Sequence, residues 1–251
     1  MPAGVALALL VLPLVALIVR APWASLPGLL TQTTVAQALG LSLATGLAST
    51  LLCLLLGVPL ALVLARSAQW AAVPRRLLRA LITVPLVLPP VVGGVALLLL
   101  LGRRGLIGQW LPFTIPFTPI AVIIAQTFVA MPFLVLAVEG ALRASDRRFE
   151  LAAATLGASR WTVFRRVTLP LVAPGISAGA LLAFTRSLGE FGATITFAGS
   201  FPGTTQTLPI TTYLQLQTDP DAAIALSLVL MVVSIVVLVS LRDRWVPGVT
   251  A

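Results

Sequence analysis

Six long apolar runs dominate the chain, separated by short stretches that hold almost all of its charge. They lie near residues 3–19, 39–65, 80–101, 118–138, 175–198 and 222–241. A helical crossing of a bilayer takes roughly 20 apolar residues, so each run predicts one helix that crosses or nearly crosses. The pattern defines an all-α membrane protein of about six transmembrane helices, organised as one transmembrane domain over residues 1–251. Six crossings return both ends to the same side. The first run reads as a retained span rather than a signal peptide, because Arg20 follows it and no positive start precedes it.

Composition strengthens this picture. Hydrophobic residues make up 59% and charged ones 9% of the 251 positions, and the mean hydropathy of +1.10 is far above that of a soluble domain. Lipid is therefore an expected partner, and no separate soluble domain fits between the runs. The net charge of +9 would point to nucleic acid in a soluble protein. Here the arginines sit in short connections, where they fix membrane orientation instead, and no nucleic-acid partner is expected. Arg66, Arg75, Arg76 and Arg79 share one connection; Arg143, Arg147, Arg148, Arg160, Arg165 and Arg166 share another; Arg242 and Arg244 follow the last run. Only Arg20, Arg103 and Arg104 fall on the opposite side. The asymmetry predicts that the richer side, with both termini, is cytoplasmic. The outward connections, roughly 20–38, 102–117 and 199–221, are too short to fold into a solute-binding domain.

Residue usage also limits the chemistry. All 16 basic residues are Arg, so a phosphate-binding loop of the form GxxxxGK[ST] is impossible and any ATP hydrolysis belongs to another polypeptide. Histidine is absent and Cys53 stands alone, which removes disulfides, Cys/His zinc sites and His- or Cys-based catalysis. The seven carboxylates form no clustered ligand set. No catalytic residue, metal or cofactor is expected, and the chain is not read as an enzyme.

The connection from Ala144 to Leu171 reads as two short helices. Ser145 is positioned as an N-cap with Asp146 in the first turn. Phe149, Ala152, Ala153 and Leu156 then repeat at helical spacing on one face. Gly157 suits a C′ position of positive φ, Ser159 offers a second N-cap, Trp161, Phe164 and Val167 mark a second apolar stripe, and Pro170 is expected to end it. Such a hairpin either packs back on its own membrane domain or docks a partner.

The run ELAAATLGASRWTVFRRVTLP resembles the EAA loop of ABC-importer permeases, with Ala152, Ala153, Gly157, Leu169 and Pro170 at matching positions and Val167 in place of the usual Ile. The resemblance implies a coupling helix that docks into a cleft on a cytoplasmic ATPase dimer, with Phe149, Leu156 and the Arg side chains adding anchoring area and charge contacts and Glu150 in the same segment. Leu151 stands where the family carries Glu. Glu150 comes one residue early, a rotation of about 100° on a helix, which predicts that it leaves the usual polar anchoring role.

Two further regions carry candidate pathway residues. Arg186 and Glu190 are spaced i, i+4 inside the fifth run, where an isolated charge costs about 2.5–3.5 kcal/mol on insertion scales, so mutual pairing is expected. That pairing serves either the bundle or a transport path. Gly175, Gly179 and Ala183 recur at four-residue intervals, and Gly189 and Gly192 flank Phe191; such small residues more often allow close helix packing than touch a solute. Pro85, Pro89 and Pro90, with Gly93 and Gly94, must interrupt the third run. Freed carbonyls at that depth are tolerated beside protein or a wet cavity, so the interruption is a packing kink or part of a path.

The strings TRSLGEFGATITFAGSFPGTTQTLPITTYLQLQ and LVLPPVVGGVALLLLLGRRGLIG resemble permeases of molybdate and tungstate importers over roughly residues 39–241. Sulfate and thiosulfate permeases share the GEFG stretch and form the alternative. The resemblance implies an importer permease in the cell membrane that works with a second copy of itself, the ATPase dimer and an external oxyanion-binding protein. A proton-coupled secondary carrier would also use Arg186 and Glu190, but has no reason to keep the EAA-like loop.

Overall fold

Three helices made of small and branched residues form the centre of the molecule. In the computed structural model these are α3 (Thr33–Arg66), α6 (Pro119–Ala144) and α9 (Leu169–Leu188), with α6 in the middle. Glycines set the spacing. A Cβ on Gly57 of α3 would meet Leu134 Cδ2 at 2.8 Å, and one on Gly179 of α9 would meet Ala137 Cβ at 3.2 Å, while Gly175 faces Ala141 still more closely. Backbones approach here because side chains are missing, which is how helices associate where lipid removes the hydrophobic drive. Around them Cys53, Ala61, Leu64, Leu134, Val135, Val138 and Ala183 form a buried cluster. The hydroxyls of Ser49 and Ser187 lie 2.7 Å apart across the α3–α9 contact, each satisfying a polar group that lipid could not.

The structure describes residues 2–146 and 148–245; Arg147 of the charge count lies outside them, and the side chains of Arg242 and Arg244 are likewise outside the description. Around the central trio stand α1 (Pro2–Val19), α2 (Leu26–Leu30), α4 (Ala72–Val87), α5 (Pro90–Leu101), α7 (Arg148–Thr155), α8 (Arg160–Val163), α10 (Gly192–Ala198), α11 (Leu208–Thr218) and α12 (Pro220–Trp245). No strand occurs among the described residues. Five helical segments are long and apolar enough to cross a bilayer, and the bent pair α4 and α5 brings the number to six.

The predicted runs and the observed helices differ in three places. The third run is broken: α4 and α5 meet at 114°, because Pro89 and Pro90 donate no N–H and force the residue before them out of the helical region. Leu88 is accordingly extended, with ψ 134. The fifth run is not one helix over 175–198. Its membrane-length segment is Arg160–Leu188, and α10 starts afresh at Gly192. Apolarity continues through the break, so hydropathy is blind to it. What breaks the helix is local: Gly189 is a weak helix former, about 1 kcal/mol worse than Ala, and Glu190 Oε1 takes the Ala193 N–H at 2.8 Å in place of a main-chain acceptor. Finally, the 199–221 connection is not wholly a loop, since α11 buries Leu208, Ile210 and Thr211 and the Leu208 N–H donates to Ser42 Oγ of α3 at 2.7 Å.

Candidate functional site

The hairpin between α6 and α9 is built by caps and one glycine. Ser145 does not cap α7; it closes α6, its hydroxyl donating to Leu142 O at 2.9 Å, and Asp146 Oδ1 accepts the Arg148 N–H at 2.9 Å instead. A serine one turn past the last helical carbonyls satisfies one of them, which leaves the carboxylate to receive the new helix. At the other end Gly157 takes φ +82, and the Ala158 N–H returns to Ala153 O at 3.1 Å, a left-handed cap that a side chain would strain. Ser159 caps α8, accepting the Thr162 N–H at 3.2 Å.

Pro170 does not end the second helix. Residues 164–168 widen into a π-helical turn, with Leu169 N–H bonded to Phe164 O, and the chain runs on into α9 with Pro170 in its first turn. The wider turn and the position at a helix start remove the two usual objections to proline, a missing N–H and a clash one turn back.

Glu150 has a polar partner inside the hairpin. Its Oε1 accepts the Thr168 hydroxyl at 2.6 Å, so it ties α7 to the base of α9. The rotation of about 100° takes it off the α7 stripe but toward Thr168 in the returning helix of the hairpin. Phe149, Ala152 and Leu156 stay exposed, Leu156 at 88%, while Ala153 and Leu169 are half-buried and Pro170 is exposed. Trp161 also projects, stacked at a tilt on Phe164 with centroids 5.7 Å apart. The apolar face of α7 therefore does not pack back on the membrane helices.

The second candidate region forms where both broken runs meet. Pro89 sets the bend at the N-terminal end of α5, and Pro90, Val91, Arg186, Gly189, Glu190, Phe191 and Gly192 line an open cleft of about 320 Å³. Four of the five pathway candidates thus share one wall, with Pro89 adjoining it. Gly192 permits the meeting: a Cβ there would stand 2.9 Å from Pro90 Cβ and 3.2 Å from the Val91 nitrogen. Gly94 does the same one turn on, against Ala193 O and Thr196.

Arg186 and Glu190 lie at a helix junction rather than mid-helix. Arg186 falls in the last turn of α9, where the helix dipole favours a cation, and Glu190 precedes α10, where it favours an anion. Arg186 Nη1 stands 2.7 Å from Glu190 Oε2, an ion pair whose angles fall short of a directed hydrogen bond. The carboxylate side chain is 1% exposed and the guanidinium side chain 27%. Phe191 lines the cleft and packs at a tilt on Tyr213 of α11, centroids 5.1 Å apart.

Sequence reasoning passed over Glu139. This residue is almost fully buried in α6, and its Oε1 accepts from Arg79 of α4 and from Arg143 Nε at 2.8 Å. The i, i+4 spacing to Arg143 was a visible signal; the partner sixty residues earlier was not. The trio pins α4 to α6 at the end of the bundle where the hairpin begins.

These features, six spans interrupted at a proline bend and a glycine break with an exposed hairpin on one side, are those of a transport-system membrane subunit. Residues 57–247 match the family described as "Binding-protein-dependent transport system inner membrane component". The chain belongs to that family: it is a multi-pass inner-membrane permease of the ABC transporter class, a transport component and not a catalytic one. It is 53% identical to "Molybdenum transport system permease protein ModB" of Mycobacterium tuberculosis (strain ATCC 25618 / H37Rv), over 97% of this chain and 92% of that protein. It is 34% identical to "Sulfate transport system permease protein CysT" of Escherichia coli (strain K12), over 93% and 86%. The fold is similar to a chain of a bacterial ABC transporter that imports the acidic polysaccharide alginate, with a TM-score of 0.69 at 17% identity, over 97% of this chain and 91% of that one.

Proposed function

We propose that this chain is the permease subunit of an importer that carries molybdate, or its close analogue tungstate, into the cytoplasm at the expense of ATP hydrolysed by a separate subunit. The observation that carries the substrate is the near full-length similarity to a molybdenum permease, at much higher identity than to the sulfate permease. In this reading residues 1–251 form one permease domain. Two copies stand side by side over an ATPase dimer, since closed two-fold symmetry is the commonest assembly, and an external oxyanion-binding protein delivers the ion. Both termini and the hairpin are cytoplasmic, which agrees with where the arginines cluster.

The hairpin supplies the docking surface. Exposed apolar side chains on a charged, non-spanning segment mark a protein contact, and Phe149 and Leu156 are the anchors while Ala152, Ala153 and the turn at Gly157 permit close approach. The cleft at Pro89, Pro90, Arg186, Glu190 and Gly192 lies on the translocation path, because a polar pair facing open space between broken helices is how membrane proteins line a wet route.

The test is uptake by vesicles holding this chain with its ATPase and capture protein. ATP-dependent accumulation of molybdate, suppressed by tungstate and unaffected by a tenfold excess of sulfate, is expected. Sulfate accumulating in preference to molybdate would overturn the substrate.

A further inference from the structure

Arg186 and Glu190 are unequally committed to each other. Glu190 is the buried partner and both its oxygens are engaged, Oε1 by the Ala193 N–H at 2.8 Å and Oε2 by Arg186 Nη1 at 2.7 Å. Arg186 is the partner that reaches into open space. A guanidinium carries five N–H donors in a planar fork, more than the ion pair from Nη1 to Glu190 Oε2 can use, in a cleft whose remaining wall is Pro90, Val91, Gly189, Phe191 and Gly192. None of those side chains can hydrogen-bond. The guanidinium is the feature of the cleft that recognises an anion, and its fork matches two oxygens of a tetrahedral oxyanion.

A path must bind its ion well enough to admit it and weakly enough to let it go. An Arg alone against the low-dielectric wall of such a cleft would hold a dianion more firmly than one in bulk water, since the attraction grows as the effective dielectric falls. Glu190 is placed to prevent this. It already occupies the guanidinium through Oε2, with imperfect geometry, and it is tethered through Oε1, so it yields the cation to an arriving anion without leaving the site.

We propose that Arg186 is a transit site for a tetrahedral oxyanion and that Glu190 is its built-in competitor, whose return to the guanidinium releases the ion. This rests on the oxyanion-importer reading above. It makes Glu190 more than the structural partner of a buried cation: its charge sets how long the ion stays.

The experiment uses the assembled permease and ATPase in detergent, without capture protein, and measures equilibrium binding of radiolabelled molybdate and, separately, sulfate. In Glu190→Gln the amide oxygen still accepts from Ala193 N–H, so the junction keeps its cap while the competing charge is gone. We expect molybdate binding at least ten-fold tighter than in wild type, a return to wild-type weakness in Arg186→Gln/Glu190→Gln, and vesicle uptake by Glu190→Gln in which KM and kcat fall together. Glu190→Asp, whose shorter carboxylate withdraws from the guanidinium, gives the same change more weakly and serves should the Gln variant fail to assemble. Sulfate bound in place of molybdate by Glu190→Gln upholds the transit site and overturns the substrate reading. No gain in binding of either anion by the variant, while wild-type vesicles still accumulate molybdate, overturns the transit site and leaves the substrate reading standing.

Discussion

The hairpin and the cleft each turn on one glutamate beside a break in a helix, and the two are solved in opposite ways. Glu150 is half-buried and holds a neutral hydroxyl, Thr168, at 2.6 Å; the apolar side chains around it, Phe149, Leu151, Leu156 and Trp161, face outward. Glu190 is buried and holds a cation, and Gly192 beside it packs closely against Pro90 and Val91. On the proposed reading, the exposed apolar surface of the first region docks a protein, and the polar bond only keeps that surface in shape. On the same reading, the polar pair of the second is what the path presents to a solute. One region should therefore tolerate substitution without loss of folding and the other should not.

The largest effect is expected at the buried pair. Arg186→Ala strands the Glu190 carboxylate in an apolar site, and breaking such a pair costs about 3–5 kcal/mol. Arg186→Ala/Glu190→Ala removes both charges and should recover most of that loss in a thermal melt of the detergent-solubilised protein. Equal, additive losses in the two single variants and their double would show that the charges act independently. Next comes Gly192→Val, whose branched side chain must push Pro90 and Val91 away. Overpacking of this kind costs about 1–3 kcal/mol, and the melt should report it together with reduced uptake; unchanged uptake would remove Gly192 from the proposed path. The smallest effect on stability belongs to Phe149→Ser/Leu156→Ser. Both side chains are exposed, so the melt should move by less than about 0.5 kcal/mol while uptake at equal membrane abundance falls by more than an order of magnitude. Wild-type uptake in that variant would end the docking assignment.

Much of this was legible from residue order alone. Runs of apolar residues located the helices, the proline pair announced the bend between α4 and α5, and Gly157 with Ser159 marked the turn of the hairpin. The rest depends on contacts distant in sequence. Glu150 looked misplaced because register within α7 was the only guide, whereas Thr168, eighteen residues on, is what meets it. The end of α9 escaped notice because Glu190 replaces a helical hydrogen bond with a side-chain one, and a hydropathy window averages over that substitution. Glu139 was silent for the same reason as most buried charges, since its meaning lies in Arg79, which the fold and not the chain order brings near. Ser145 and Asp146 are both good caps; which helix each serves is decided by where α6 stops.

The division of labour between hairpin and cleft is tested most directly by measuring ATP hydrolysis and molybdate uptake in the same vesicles, with capture protein present, for Phe149→Ser/Leu156→Ser and for Gly192→Val. The account predicts that the hairpin variant loses both uptake and the stimulation of hydrolysis by loaded capture protein, whereas the cleft variant keeps stimulated hydrolysis and loses uptake. A hairpin variant that still couples stimulated hydrolysis to uptake, or a cleft variant that loses stimulation as fully as the hairpin variant does, would contradict it.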